Sequence, residues 1–485
     1  MGDANRRAFL RAAGLGTAAL ALPDWAKAAG AARRPNIVFI ITDQQHAGML
    51  SCAGNRWLKT PALDRLAASG IRFERAYTTN PVCLPARFSF FTGKMPSAVG
   101  IGHNGDGRKG VPKAILPQAM GTLFRNAGYE TVYGGKVHLP RGMGIQAIGF
   151  KPLTGDRRGK LADECAKFLK QKHERPFLLV ASFINPHDIC YMAINDHRRT
   201  QGQEPMGNQD SRICERVIEQ PRKGLKEFAE HHCPPVPANF EVPKLEAECI
   251  TTHYLKRRAF RAYARAKWPA EMWRLHRWAY CRLTEMVDKH IGTVLDALRD
   301  AGLDGRTLVV FTSDHGDHDA AHRLEHKSIL YEEATRIPFL MSCKGVVPAG
   351  KVDETHLVSS GLDLLPTLCD YAGIEPPKGL HGLSLRPLAS GKPPETWRDH
   401  LVVETDTGRM VRTARAKYAV YASGAHREQL NDLQADPGEM HNLADDPTHR
   451  PDLDRHRALL RQWVERTGDR IAANYIVREA PPASR

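Results

Sequence analysis

Three near-continuous apolar runs and one shorter, mixed strand-like run, each followed by polar residues, leave this 485-residue chain few folds to choose from. Residues 36–42 (Asn-Ile-Val-Phe-Ile-Ile-Thr) are β-branched and aromatic, as a strand buried on both faces must be. Residues 176–183 (Pro-Phe-Leu-Leu-Val-Ala-Ser-Phe) and 307–313 (Thr-Leu-Val-Val-Phe-Thr-Ser) repeat the pattern, and Glu130 to Tyr133 gives a shorter version. Helical signals lie between them. Thr60-Pro61 predicts a capped helix that stops at Gly70. Leu283, Met286, Val287, Ile291, Val294, Leu295 and Leu298 recur at three and four and predict one long amphipathic helix closing at Gly302. Strands alternating with helices predict an α/β fold with a large, mostly parallel central sheet flanked by helices.

Composition narrows the class. With 42% hydrophobic residues the chain can build a sizeable core, and past residue 25 no apolar run approaches the ~18 residues that span a bilayer. A multi-pass membrane protein is excluded. The ten cysteines contain no Cys-x-x-Cys pair, which argues against a zinc ribbon or a thioredoxin-type dithiol; one or two disulfides stay open for an exported protein. Export itself is expected. Arg6-Arg7, then Phe9-Leu10, a short apolar stretch to Leu22 and Ala26-Lys27-Ala28 follow the order of a twin-arginine signal over residues 1–32. That predicts a periplasmic or secreted protein that the twin-arginine translocase carries across already folded.

Residues 33–395 form the expected main domain. Within it, residues 190–280 break the strand–helix rhythm and are read as a helical insertion beside or over the site mouth. Eight Lys and Arg fall between Lys256 and Arg277 against a single acid, Glu271. A solvated helix face explains them, as does a surface that steers polyanionic glycans; nucleic acid is not expected, because no recognition motif accompanies the charge. After Pro376-Pro377, short strand-like runs at Leu401–Val403 and Lys417–Tyr421 and a helix at about 451–466 predict a small α+β subdomain over residues 396–485.

The chemistry gathers where the strands end, the edge at which open α/β sheets bind ligands. Asp43-Gln44-Gln45-His46 follows the first run, and Gly135-Lys136-Val137-His138 the second. Asn185-Pro186-His187-Asp188 follows the third, and Asp314-His315-Gly316-Asp317 the fourth. A fifth segment, Cys83-Leu84-Pro85-Ala86-Arg87, opens a short helix that ends at Gly93. Pro85 belongs in a first helical turn, so Cys83 sits at the helix N-terminus, where backbone N–H groups favour negative charge, and Arg87 lies one turn on. A buried apolar cysteine is the alternative. The series His315, His318, His322, His326 also admits a zinc reading, although only His315 directly follows the strand with Asp314. His318, His322 and Asp317 are expected to face the pocket or solvent, and His103 fits a turn or a substrate contact equally.

Cys83-x-Pro85-x-Arg87 resembles the sulfatase signature, in which the cysteine becomes Cα-formylglycine. The resemblance runs along most of the chain. Asn36 to Asp43 is similar to the family's opening strand and first metal ligands, Gly135-Lys136-Val137-His138 to its Gly-Lys-x-His motif, and Thr312-Ser313-Asp314-His315-Gly316 to its second metal pair. Lys327, Tyr331-Glu332-Glu333 and Arg336-Ile337-Pro338 follow in the family order, and Leu433 to Leu443 is similar to its C-terminal motif. Two positions depart from it: Gln44 and His315 stand where many members carry Asp and Asn.

The resemblance implies an alkaline-phosphatase-like sandwich that hydrolyses sulfate esters, a sulfated carbohydrate above all. It implies one divalent cation, Ca²⁺ first with Mn²⁺ or Mg²⁺ open, held by Asp43, Gln44, Asp314, His315 and the modified Cys83. It also implies a formylglycine-generating enzyme as maturation partner. The hydrated aldehyde would attack sulfur, Lys136 and Lys327 would hold the sulfate oxygens, and His187 would protonate the leaving alkoxide. His138 would take the proton of the second hydroxyl, and Arg87 would orient the hydrate. A phosphonate or phosphate ester hydrolase with the same constellation, and a non-catalytic glycan-binding protein if Cys83 remains a thiol, are the rival readings.

Overall fold

The computed structural model describes residues 34–477; the proposed export signal lies outside them. In chain order the strands are β1 (Asn36–Asp43), β2 (Ile71–Phe73), β3 (Ala76–Tyr77), β4 (Glu130–Gly135), β5 (Lys151–Thr154), β6 (Phe177–Pro186) and β7 (Thr307–Ser313). They continue with β8 (Phe339–Ser342), β9 (Lys351–Asp353), β10 (Val358–Ser359), β11 (His400–Glu404), β12 (Gly408–Thr413), β13 (Ala416–Tyr421) and β14 (Glu428–Asp432). Eight of them form one sheet in the order β5-β4-β6-β1-β7-β8-β2-β9. The pairings from β5 to β7 are parallel, and β8 runs antiparallel to both its neighbours. The fold is the expected mostly parallel α/β sandwich.

Alternation along β1 divides the core in two. Ile37, Phe39 and Ile41 pack with Phe88, Phe90 and Phe91 of the helix Cys83–Thr92 on one face. On the other, Val38 and Ile40 meet Val287, Ile291 and Val294 of the long helix. That helix runs Ala270–Asp300, thirteen residues further towards the N-terminus than Leu283, where the apolar spacing begins. Its first half changes partner: Trp273, Leu275 and Tyr280 bury against the inserted helices, with Ile218 and Trp268. The helix Pro61–Ala68 forms as expected, but Thr60 makes no side-chain cap bond. Asp288 of the long helix accepts from Ala62 N and Leu63 N instead, at 3.1 and 2.9 Å.

The insertion is helical, and Tyr254 within it donates to Glu325 O at 2.6 Å, beside the site. Its basic stretch is not a freely solvated face. Arg265 pairs with Glu246 and Arg277 with Asp319, while Arg274 donates to the carbonyls of Pro234 and Cys233. Strands β11–β14 form a separate antiparallel sheet, covered by the helix Arg450–Thr467 through Leu453, Leu460 and Trp463. All ten cysteines are free thiols, and among the described residues no helix is long and apolar enough to cross a membrane.

Candidate active site

Strands β1 and β7 are hydrogen-bonded neighbours with Thr42 opposite Ser313, so their next residues, Asp43 and Asp314, emerge side by side at the carboxyl edge. The helix Cys83–Thr92 delivers position 83 to the same place. Its N-terminal residue is Cys83, and Gly93 closes it in the left-handed region at φ +66°. The Cys83 sulfur lies 3.1 Å from His315 Nε2, 3.2 Å from Lys327 Nζ and 3.6 Å from Asp43 Oδ1. Ligand atoms of Asp43, Cys83, Asp314 and His315, all buried, lie within 4.8 Å of one another.

Arg87 ties this cluster together from below. It is wholly buried, donating from Nε to Asp314 at 2.8 Å, from Nη2 to Asp43 at 3.1 Å and from Nη1 to Ser182 Oγ at 2.8 Å. Lys136 Nζ donates to the second oxygen of Asp43 at 2.5 Å. Its placement depends on Gly135. There φ is +98° and a Cβ would stand 2.0 Å from Ser182 O, so only glycine lets β4 approach β6 closely enough to turn Lys136 inward.

Burial raises the cost of every charge here, and the neighbours decide which survive. For Asp43 burial is outweighed by the charges of Lys136, Lys327 and Arg87, which hold its carboxyl well below the usual range. Asp314 goes the other way, pushed up to about 6 by burial and the charge of Asp43 against the pull of His315 and Arg87. The Cys83 thiol is lowered well below 9.0, because Lys136, Lys327 and His315 together overcome burial and Asp43. His187, 4.0 Å from Asp43, is driven well below 6.5 by burial, Lys327 and Lys136, so its imidazole is neutral at pH 7. His315 is raised: burial opposes the charge, but Asp314 favours it.

Gln44 enters through its amide. At φ +69° it turns its oxygen to Lys327 Nζ (2.6 Å) and Cys190 Sγ (3.1 Å) and donates Nε2 to Asp317 at 2.6 Å, while its backbone carbonyl accepts from Tyr280. His138, at φ +47°, is not drawn into this network, and its Nδ1 has no hydrogen-bond partner among the described residues. The zinc reading finds no support. Among the described residues His318, His322 and His326 join no cluster of potential ligands; His322 instead stacks on Tyr331 at 3.9 Å and His326 lies against Phe260. None of His318, His322 and Asp317 faces solvent, since all three are fully buried. His103 caps a short 3₁₀ turn with Asp106 and also lines a pocket next to Lys327.

Three participants escape sequence reasoning: Ser182, Cys190 and Tyr280. Ser182 sits inside an apolar strand and Tyr280 inside a helix, so neither position carries a signal. Cys190 follows His187-Asp188 closely enough to have been suspected.

The donor set fits a divalent cation: two buried carboxylates from adjacent strands, an imidazole and position 83 converge, and with Arg87 and Lys136 engaging the Oδ2 atoms, Oδ1 of Asp43 and Oδ1 of Asp314 are left facing Cys83 and His315.

Known proteins resemble the chain along most of its length. The sulfatase family model matches residues 35–142 and 148–374, and a model of the C-terminal part of N-sulphoglucosamine sulphohydrolase matches residues 320–464. A Δ4,5-hexuronate-2-O-sulfatase of Bacteroides thetaiotaomicron is 31% identical over 464 residues, covering 91% of each chain. A solved 2-O glycosaminoglycan sulfatase superposes with a TM-score of 0.74 at 28% identity, covering 92% of this chain and 95% of its own. A phosphonate monoester hydrolase of Agrobacterium radiobacter shares the fold (TM-score 0.69, 21% identity, 89% and 96% covered).

Proposed function

The chain belongs to the sulfatase family and is a sulfuric ester hydrolase, and on that premise we propose that it cleaves sulfate from a sulfated carbohydrate with a formylglycine derived from Cys83. The observation that carries this reading is the placement of Cys83 at a buried helix N-terminus, 3.2 Å from Lys327 and 3.6 Å from Asp43. A cation at Asp43, Gln44, Asp314, His315 and the modified position 83, with Ca²⁺ favoured over Mn²⁺ and Mg²⁺, would supply Lewis-acid charge neutralisation.

The chain's own residues divide the remaining work. The hydrated aldehyde at position 83 is the nucleophile, and Arg87 fixes the two carboxylates around it. Lys136 and Lys327 meet the anionic oxygens of the ester. Seating that anion between the two lysines offsets their share of the pressure against charge on His187, which favours a proton on the imidazole that it passes to the leaving oxygen. His138 takes the proton of the second hydroxyl, so that a carbonyl forms at position 83 as its C–O bond to the transferred sulfate breaks, releasing sulfate and restoring the aldehyde. Maturation by a formylglycine-generating enzyme, transport by the twin-arginine translocase under residues 1–32, and a periplasmic or secreted location complete the proposal. In it residues 33–395 carry the catalysis and 396–485 form the C-terminal subdomain.

Gln44 and His315 make the cluster less anionic than an Asp/Asn pair would, which keeps phosphonate and phosphate esters in view. Turnover of 4-nitrophenyl sulfate, 4-nitrophenyl phosphate and a phosphonate monoester by matured, Ca²⁺-loaded protein tests the assignment. The sulfate ester is expected to give the highest kcat/KM; no sulfate turnover would overturn it.

A further inference from the structure

We propose that a basic pocket beside Lys327 recognises a second anionic group on the substrate, a carboxylate or a further sulfate, so that dianionic sugar sulfates are preferred over singly charged ones. The inference rests on the sulfate ester reading above and adds the substrate class.

The pocket measures about 180 Å³, and its lining includes Tyr254, Arg257, Arg258, Arg261, Lys327 and one carboxylate, Asp406, together with Val82. Val82 immediately precedes Cys83, and Lys327 touches the Cys83 sulfur, so the pocket opens onto the reacting position. Its three arginines are not equivalent. Arg257 is engaged by Asp406 at 2.7 Å, and His253 lies 4.0 Å from the same carboxylate. Arg258 is exposed, and its side chain has no hydrogen-bond, ionic or aromatic partner among the described residues. The Arg261 guanidinium lies 4.0 Å over the Tyr254 ring, which is itself anchored to Glu325 O, and its Nε is buried without a hydrogen-bond partner.

One carboxylate thus answers three guanidinium groups. Arg261 is held in place before any ligand arrives, and Arg258 stands free to close on one. Planar guanidinium forks bind carboxylate or sulfate bidentately, and a pre-stacked arginine gives up little freedom in doing so. A second anion that takes no part in bond breaking is bound equally in ground and transition states, so its effect belongs in KM rather than kcat.

The test compares three sugar sulfates on the matured enzyme: one otherwise neutral, one carrying a carboxylate and one carrying a second sulfate. The kcat/KM of at least one dianionic sugar is expected to exceed that of the neutral one tenfold or more, and the larger ratio identifies the group. Arg258→Ala and Arg261→Ala are expected to reduce that ratio at least tenfold through KM. A wild-type ratio near one, or a ratio unmoved by both substitutions, overturns the proposal. If no sugar sulfate is hydrolysed, the sulfatase reading fails separately. Calorimetric titration of Cys83→Ser protein with the same sugars then decides the pocket: tenfold weaker binding of a dianionic sugar to the Arg258→Ala double variant supports it, and equal binding overturns it.

Discussion

Gln44 and Asp317 are joined through the glutamine amide, Nε2 donating to Oδ2 at 2.6 Å. That bond fixes which way the amide faces, and so presents its oxygen to Lys327 at 2.6 Å. Where many family members place a carboxylate at position 44, this chain has a neutral amide with a carboxylate behind it. Asp317→Asn removes the carboxylate that accepts from the amide nitrogen, leaving Lys327 and Cys190 on the oxygen to orient it. The expected result is a loss of about 1–3 kcal/mol in urea unfolding and a roughly tenfold fall in kcat/KM as Lys327 loses its oriented acceptor. Unchanged stability and activity would show that the amide is oriented by Lys327 and Cys190 alone.

Arg87 bridges two buried carboxylates, and it is the ion-pair partner of Asp314 as Lys136 is of Asp43. Removing one member of such a network leaves uncompensated buried charge, which costs about 3–5 kcal/mol. Arg87→Gln is therefore expected to lose that much in denaturant unfolding under chelator. Added Ca²⁺ should restore part of it, because a cation at Asp43 and Asp314 supplies the missing positive charge. A loss under about 1 kcal/mol in chelator would contradict this account of the cluster.

Much of this site is legible before any coordinates, because its residues directly follow apolar runs. Asp43 ends β1 and Asp314 follows β7, and parallel neighbours necessarily bring their ends together. Cys83 and Arg87 are legible through Pro85 and the one-turn spacing. The Gln44–Asp317 bond is not: it joins residues far apart in sequence and depends on a left-handed backbone at Gln44 that no local signal marks in a non-glycine residue. The arginines of residues 256–277 fail for a related reason. A charge run looks solvated until its partners Glu246, Asp319 and Asp406 are placed by the tertiary fold.

Mass spectrometry of the peptide containing position 83 checks the nucleophile directly. Protein made with a formylglycine-generating enzyme is expected to show the aldehyde or its hydrate in place of the thiol. Cys83→Ala is expected to fold and to lose on the order of 10⁴-fold or more in kcat. A thiol mass in a fully active preparation would remove the proposed mechanism.

Glu404, at the end of β11, is buried with Arg409 and Asp469 and accepts from Ser97 N at 2.6 Å. Burial, reinforced by Asp469, pushes it up to about 7 from an ordinary 4.5 despite Arg409. The folded protein therefore holds a proton there that the unfolded chain has released. Its contribution to stability is fully present below about pH 4.5 and is lost as pH rises through about 7, by up to about 3 kcal/mol. Glu404→Gln should flatten the fall in stability between pH 5 and pH 8, gaining on the wild type most at the alkaline end. Parallel pH profiles of unfolding free energy for the two proteins would refute it.

His187 is best tested through the leaving group. An alkoxide departing from a sugar sulfate is a strong base and needs a proton in the transition state, whereas 4-nitrophenolate departs unaided. General acid catalysis is worth about 10²–10⁴ where it is needed. His187→Ala should therefore lower kcat/KM for a sugar sulfate within that range and for 4-nitrophenyl sulfate by less than about tenfold, the difference belonging to proton transfer. The comparison also separates His187 from Lys327. A lysine that neutralises the sulfate oxygens is required whatever the leaving group, so Lys327→Ala should depress both substrates alike. If His187→Ala instead lowers both equally, the imidazole serves Asp43, 4.0 Å away, rather than the departing oxygen.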